Sequence, residues 1–271
     1  MCDTDYRSDF PLESDIEARD ELAAGSSFGG RPGLHHVRDA GALLASGGLD
    51  SCILLKYLLD MGRKVKPLYI DSGLCWQTVE KLSLKRYIES IGAPPPESLT
   101  VLDLPLADLY GDHWSITGHA TPEAGTPDQA VFLLGRNILL TVKAANWCQT
   151  HGVNELAIGT LKSNPFQDAS ALFFDQLGQV CSSVGPLIRF RRPFAELDKR
   201  QVMELGRTFP LDSTFSCISP HNGLHCGHCN KCAERKAAFR LINTRDPTHY
   251  THEAAGGSKI VPQLTIHDCM S

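Results

Sequence analysis

No run of ~18 consecutive apolar residues occurs in the chain, so nothing in it reads as a membrane-spanning helix. Neither the basic stretch nor the apolar core of a secretory signal is visible after Met1-Cys2-Asp3-Thr4-Asp5, and a cytoplasmic location is expected. Internal repeats are missing, which excludes a solenoid or an array. There is no basic surplus: 26 Lys and Arg stand against 31 Asp and Glu. Binding to a phosphate backbone usually shows as an excess of Lys and Arg, so a nucleic-acid partner is not expected. The 10 cysteines have no export signal to go with them. They are expected to be metal ligands, catalytic thiols or buried side chains rather than a disulfide framework.

The charge that is present is unevenly placed. Residues 1–34 hold eight acids and three bases, which leaves 23 of each in 35–271. The net charge of −5 therefore belongs to the leader. With its Gly25-Ser26-Ser27-Phe28-Gly29-Gly30 end, the leader reads as a disordered acidic segment with at most a helical turn near Ile16–Leu22.

From about residue 40, apolar strands alternate with helical patterns. Strands are expected at 42–45, 65–70, 99–102, 155–158 and 187–190, and helices at 49–61, 76–91, 138–148, 199–205 and 233–241. Asp198 with Gln201 forms a capping-box pattern, and Gly206 stands where a C-cap glycine would. Residues 105–130 and 160–170 read as polar loops. The fold class that follows is α/β: a parallel sheet with helices on both faces and a small C-terminal metal-binding segment. The expected organisation is a leader at 1–34, a nucleotide domain at 35–212, a metal-binding segment and helix at 213–245, and an extension at 246–271.

In such a sheet ligands bind beyond the carboxyl ends of the strands. After the first strand comes Ser46-Gly47-Gly48-Leu49-Asp50-Ser51 and then a helix. The glycines allow a sharp turn and close approach of an anion, and the free N–H groups of the helix start attract phosphate. The segment is neither a GxxxxGK[ST] nor a GxGxxG loop. Asp50 suits a phosphate site if it orients the loop or helps hold Mg²⁺.

Near the other end, Cys217, Cys226, Cys229 and Cys232 follow Cys-x8-Cys-x2-Cys-x2-Cys. Four thiolates that fold back on one point suit tetrahedral Zn²⁺ with no open position. A redox pair and an iron–sulfur cluster are the other chemistries of this spacing, and His225 and His228 are potential substitute ligands. Cys52 and Cys148 lie on apolar helices and read as buried, inert thiols.

Ser46-Gly47-Gly48-x-Asp50-Ser51 resembles the SGGxDS loop of the ATP pyrophosphatase (PP-loop) superfamily. Loop and cysteines together resemble the 7-cyano-7-deazaguanine synthase family of queuosine biosynthesis, whose fold is adenine nucleotide α-hydrolase-like. Gly135-Arg136-Asn137-Ile138-Leu139-Leu140, Pro193-Phe194 with Leu197-Asp198-Lys199, Thr214-Phe215-Ser216-Cys217 and the run Cys226 to Phe239 carry the likeness, which spans roughly 40–240. The resemblance implies an ATP-dependent ligase that adenylates 7-carboxy-7-deazaguanine and delivers it to ammonia. ATP with Mg²⁺, Zn²⁺ and a homodimer come with it.

On this reading Leu44, Ala45, Ser46, Gly47, Gly48, Leu49, Asp50, Ser51, Cys52, Asp71, Gly135, Arg136 and Asn137 hold the nucleotide. Asp50, Lys199 and Arg136 act in the chemistry, and Cys217, Cys226, Cys229 and Cys232 hold the metal. After the second strand the chain departs from the family's Tyr-Gly-Gln, reading Asp71-Ser72-Gly73-Leu74-Cys75-Trp76. After the fourth it departs from Gly-Tyr-Pro-Asp-Cys, and Lys162, Phe166 and Asp168 are the candidate substrate contacts. Other readings are a PP-loop enzyme adenylating a different carboxylate, a tRNA-thiolating enzyme using Cys75 or Cys148, and a non-enzymatic zinc module.

Overall fold

A computed structural model describes residues 41–92 and 99–251. The acidic leader and its helical turn near Ile16–Leu22 lie outside the described residues. Five strands form one all-parallel sheet: β1 (Ala42–Leu44), β2 (Lys66–Asp71), β3 (Thr100–Asp103), β4 (Glu155–Ile158) and β5 (Arg189–Arg191). Their order is β3-β2-β1-β4-β5, with Leu43 opposite Pro67 on one side and Ala157 on the other. The chain builds outward from β1 to β3, then returns to lay β4 along the free edge of β1. That reversal between β1 and β4 is the switch point where an open parallel sheet binds ligands.

The helices are α1 (Leu49–Asp60), α2 (Gln77–Ser90), α3 (Ala107–Tyr110), α4 (Trp114–Thr117), α5 (Arg136–Thr150), α6 (Ala171–Ser183), α7 (Lys199–Leu205) and α8 (Asn230–Leu241). Alternation along the strands sends side chains to opposite faces. Leu43 and Tyr69 join Cys52, Ile53, Tyr87, Met203 and Phe239 in a core under α1, α2, α7 and α8. Ala42, Leu68, Ile70, Leu156 and Ile158 join Leu140, Cys148, Phe174 and Ile188 under α5 and α6. A third apolar cluster, with Trp76, Leu133, Phe215 and Tyr250, packs around the four cysteines.

Most elements fall where the periodicity places them, and β5 is displaced from 187–190 to Arg189–Arg191. The segment 105–130, read as a loop, carries α3, α4 and the start of a 3₁₀ turn at Asp128–Val131. Helix α6 is an addition. The hydroxyl of its N-cap Ser170 accepts from the Phe173 N–H at 3.2 Å, but Leu172 and Val180 on its surface are exposed, which blurs the apolar stripe.

The capping box at α7 is present in full. Gly206 has a different reason for being glycine than the one its position implies. Its φ is −88°, an ordinary right-handed value, so no left-handed cap is formed. A Cβ there would instead lie 2.6 Å from both Cγ1 and Cδ1 of Ile53, which is fully buried in α1. The glycine is a contact point between α7 and α1. Gly206→Ala should therefore overpack this seam and cost about 1–3 kcal/mol, read from the urea midpoint of unfolding. An unchanged midpoint would show that the seam relaxes.

Candidate active site and metal centre

The loop Ser46–Ser51 closes on itself. The Ser46 N–H donates to the Ser51 hydroxyl at 3.2 Å, and the two hydroxyls are 3.1 Å apart. Gly47 has φ +76°, the left-handed region that favours glycine. A Cβ there would also crowd Glu80, at 3.1 Å from its carbonyl oxygen and 3.2 Å from its Cγ. Gly48 is the N-cap of α1 and no side chain caps that end, so first-turn N–H groups face outward with the positive end of the helix dipole.

Above the loop lies a cavity of about 340 Å³ at the carboxyl ends of β1, β2 and β4. Leu44, Ala45, Ser46, Gly48, Leu49, Asp50, Ser51, Arg136, Asn137 and Lys199 line it, all of them singled out from the sequence. Asp50 and Lys199 are ion-paired at 2.7 Å, which ties the loop after β1 to the start of α7. The buried Nε of Arg136 has no partner among the described residues.

Other expected residues stand elsewhere. Gly47 and Gly135 shape turns, Gly135 as a left-handed N-cap of α5. The Cys52 side chain is fully buried in the core beneath α1, and burial pushes its thiol up. The Asp71 carboxylate accepts from the Gly73 N–H at 3.2 Å and pairs with Lys81 at 2.5 Å, away from the cavity. Lys162 is exposed, and Phe166 stacks on Phe132 with centroids 5.0 Å apart. Asp168 receives the Asn137 side chain on its backbone carbonyl at 3.3 Å, and its Oδ1 is buried without a partner. Neither cysteine proposed for sulfur transfer lines the cavity: Cys75 packs with the cysteine cluster, and burial pushes Cys148 up to about 12.

The cavity also takes residues that sequence reasoning passed over: Tyr69, Gln77, Glu80, Thr160, Phe215, Ser216, Lys231, Glu234 and Arg235. Gln77 pins the loop after β2. It accepts from the Ser72 and Leu74 N–H groups at 2.7 and 3.0 Å and donates to the Ile70 carbonyl at 2.9 Å. Glu80 had a signal: it falls in register with Trp76, Leu84, Tyr87 and Ile88 on the buried stripe of α2. A carboxylate on such a stripe needs a reason to be there.

The four cysteines converge. Their sulfurs all lie within 4.8 Å of one another and all four side chains are buried. Cys217–Cys229 and Cys226–Cys232 are each 3.9 Å apart, and a tetrahedral site with zinc–sulfur bonds of ~2.3 Å has edges of about 3.8 Å. Backbone N–H groups of Ser219 and Cys226 donate to the Cys217 sulfur, and that of Cys229 to the Cys226 sulfur, each at 3.3 Å. Such donors favour thiolates, as does the start of α8, which Cys229 caps. The donor set fits a closed metal site. Histidine takes no part in it. The His225 Nε2 accepts from the Ser216 N–H at 3.1 Å, and burial pushes that imidazole down to about 3. The His228 Nδ1 lies 3.2 Å from the Cys226 carbonyl oxygen.

A family model described as queuosine biosynthesis protein QueC matches residues 41–243. The chain belongs to the QueC family. A 7-cyano-7-deazaguanine synthase of Methanopyrus kandleri is 31% identical over 225 residues, covering 77% of this chain and 97% of that protein. The synthase of Leptospira interrogans is 28% identical, covering 73% and 85%, and 7-cyano-7-deazaguanine synthase 1 of Desulfitobacterium hafniense is 27% identical, covering 73% and 90%. No helix among the described residues is long and apolar enough to cross a membrane.

In this QueC-family chain the loop and the metal site are joined through Arg235, 1% exposed. Its guanidinium donates to the Thr214 hydroxyl at 2.8 Å, the Ser216 hydroxyl at 3.3 Å, the Thr248 hydroxyl at 2.6 Å and the Leu211 carbonyl at 2.6 Å. Between Thr214 and Ser216 sits Phe215, whose N–H donates to the Gly47 carbonyl at 2.8 Å. Arg235→Met keeps much of the volume but strands several buried polar groups. It should destabilise the chain by about 3–5 kcal/mol in urea unfolding, and a loss below about 1 kcal/mol would mean that water replaces the guanidinium.

Proposed function

We propose that the chain is an ATP-dependent carbon–nitrogen ligase that converts 7-carboxy-7-deazaguanine and ammonia to 7-cyano-7-deazaguanine. The observation that carries the reading is the uncapped loop at the switch point, facing Arg136, Lys199 and Lys231 across one cavity. Polyphosphate matches that array of outward N–H groups and cations, and leaves the α-phosphate toward the open cavity. The substrate carboxylate attacks that phosphorus, pyrophosphate leaves, and the carboxylate becomes an adenylate. Ammonia displaces AMP to give the amide; a second adenylation turns the amide oxygen into a leaving group, and breaking its C–O bond with loss of the two N–H protons releases a second AMP and leaves the nitrile.

In this scheme Arg136 and Lys199 stabilise the charge that develops on the phosphates. Asp50 holds Lys199 in place and stands where Mg²⁺ accompanying ATP would be met. Zn²⁺ is the metal proposed for Cys217, Cys226, Cys229 and Cys232, where it would close the segment around Phe215 without entering the reaction. The partners of this reading are small molecules rather than nucleic acid, in keeping with equal numbers of acids and bases in 35–271. A cytoplasmic homodimer is the proposed working form.

Mass spectrometry of the purified chain with 7-carboxy-7-deazaguanine, ammonium and Mg-ATP should find the nitrile together with AMP and pyrophosphate. AMP formed with another acid, and no nitrile, would redirect the substrate. Asp50→Ala should lower ATP turnover by at least ~100-fold with the thermal midpoint retained. Metal analysis should find about one zinc per chain, lost in Cys229→Ser; iron, or no metal, would refute the zinc site.

A further inference from the structure

Three carboxylates line the cavity: Asp50, Glu80 and Glu234. Two are neutralised. Asp50 pairs with Lys199 at 2.7 Å and Glu234 with Lys231 at 2.6 Å. Glu80 has no ion-pair partner among the described residues. It is 8% exposed, and its backbone and Cγ rest against Gly47 of the phosphate loop. One carboxylate oxygen accepts the Tyr69 hydroxyl at 2.8 Å, and no partner among the described residues holds the other. A cavity that already carries Arg136, Lys199, Lys231 and Arg235 has little use for a bare carboxylate in binding phosphates. It does need a place for the one cationic reactant. At neutral pH ammonia arrives as ammonium, which cannot attack until it gives up a proton.

The geometry points to Glu80 as the group that binds ammonium and takes its proton, an inference that rests on the ligase reading above. One ammonium N–H bond breaks and its proton passes to the Glu80 carboxylate. The nitrogen lone pair forms a C–N bond to the adenylate carbonyl. The tetrahedral adduct then sheds a second proton to water or to the departing phosphate, and the C–O bond to AMP breaks with its electron pair on AMP.

The environment suits the task. Burial pushes the Glu80 carboxyl up to about 7, opposed by the Arg136 charge and the Tyr69 hydrogen bond, with Asp71 raising it further. Cys52 is the titratable neighbour on α1. A base with a pKa near the working pH is the most effective one. Glu80 must be ionised to act, so the rate should rise as pH rises through about 7.

The test separates adenylation from amide formation. Wild type and Glu80→Gln are compared in ATP–pyrophosphate exchange with 7-carboxy-7-deazaguanine, in ammonium-dependent amide and nitrile formation across the pH range, and with hydroxylamine in place of ammonium. Hydroxylamine is already neutral at neutral pH and needs no base to become a nucleophile. Glu80→Gln should lower the ammonium-dependent rate at least ~100-fold more than it lowers exchange, with a residual rate that climbs in proportion to free ammonia. Hydroxamate formation should be restored relative to the ammonium reaction. Equal losses with both nucleophiles would overturn the inference and leave Glu80 a support for the loop. Tyr69→Phe is the second variant, for use if Glu80→Gln does not fold. It removes a hydrogen bond that lowers the carboxyl's pKa, so the acidic limb should move to higher pH; an unmoved limb overturns the inference. If wild type shows neither exchange nor hydroxamate, the ligase reading itself fails and the inference falls with it.

Discussion

A single backbone hydrogen bond, from the Phe215 N–H to the Gly47 carbonyl at 2.8 Å, joins the two ends of this chain's chemistry. Gly47 is the left-handed turn of the phosphate-type loop, and Phe215 lies two residues before the first cysteine of the cluster. Everything around that bond keeps its donor in place. Arg235 grips Thr214 and Ser216 on either side, His225 fixes the Ser216 N–H, and Cys217 anchors the segment to the sulfur cluster. Closure of the cysteine site therefore bears on the loop that opens more than 160 residues earlier in the chain. Helix α8 does both jobs at once: its first turn contains Cys232, and its first two turns carry Lys231, Glu234 and Arg235 to the cavity.

Neutral composition conceals a polarised interior. The 35–271 segment has equal acids and bases, and the cavity gathers Arg136, Lys199, Lys231 and Arg235 beside Asp50, Glu80 and Glu234. Arg235 is the extreme case, a buried guanidinium satisfied by hydroxyls and a carbonyl rather than by a carboxylate. Burying a charge is costly, and burial lowers its pKa, with the Asp246 charge acting in the opposite direction. The hydroxyl and carbonyl acceptors around the guanidinium offset part of that cost.

What was readable in the sequence is what is local in it. The Ser46–Ser51 turn, the α7 capping box and the cysteine cluster are each specified within a few residues. The layering of the sheet followed from the alternation of strand and helix patterns, because each helix must cover a face. Gly206 shows the limit. Position alone implied a C-cap glycine, which it is, but with φ −88° the backbone does not require glycine, and the close constraint comes from Ile53, far away in sequence. Helix α6 was missed because its exposed Leu172 and Val180 break the apolar stripe that periodicity relies on. The loop after β4 was the least legible: Thr160 lines the cavity, while Lys162 and Phe166 are not among its lining residues.

Glu80 and Arg235 share one lesson about buried polar side chains. Each lies on a helix face that otherwise packs into apolar surroundings, Glu80 among Leu84, Tyr87 and Ile88, Arg235 beside Ala238 and Phe239. A polar group on such a stripe is destabilising unless partners satisfy it. Arg235 is satisfied within the protein by four acceptor contacts, so its role is complete before any ligand arrives. Among the described residues Glu80 is satisfied at one oxygen, by Tyr69. The difference is one of satisfaction: Arg235 is held by acceptors of the protein itself, whereas Glu80 faces the cavity with an oxygen that no described residue holds.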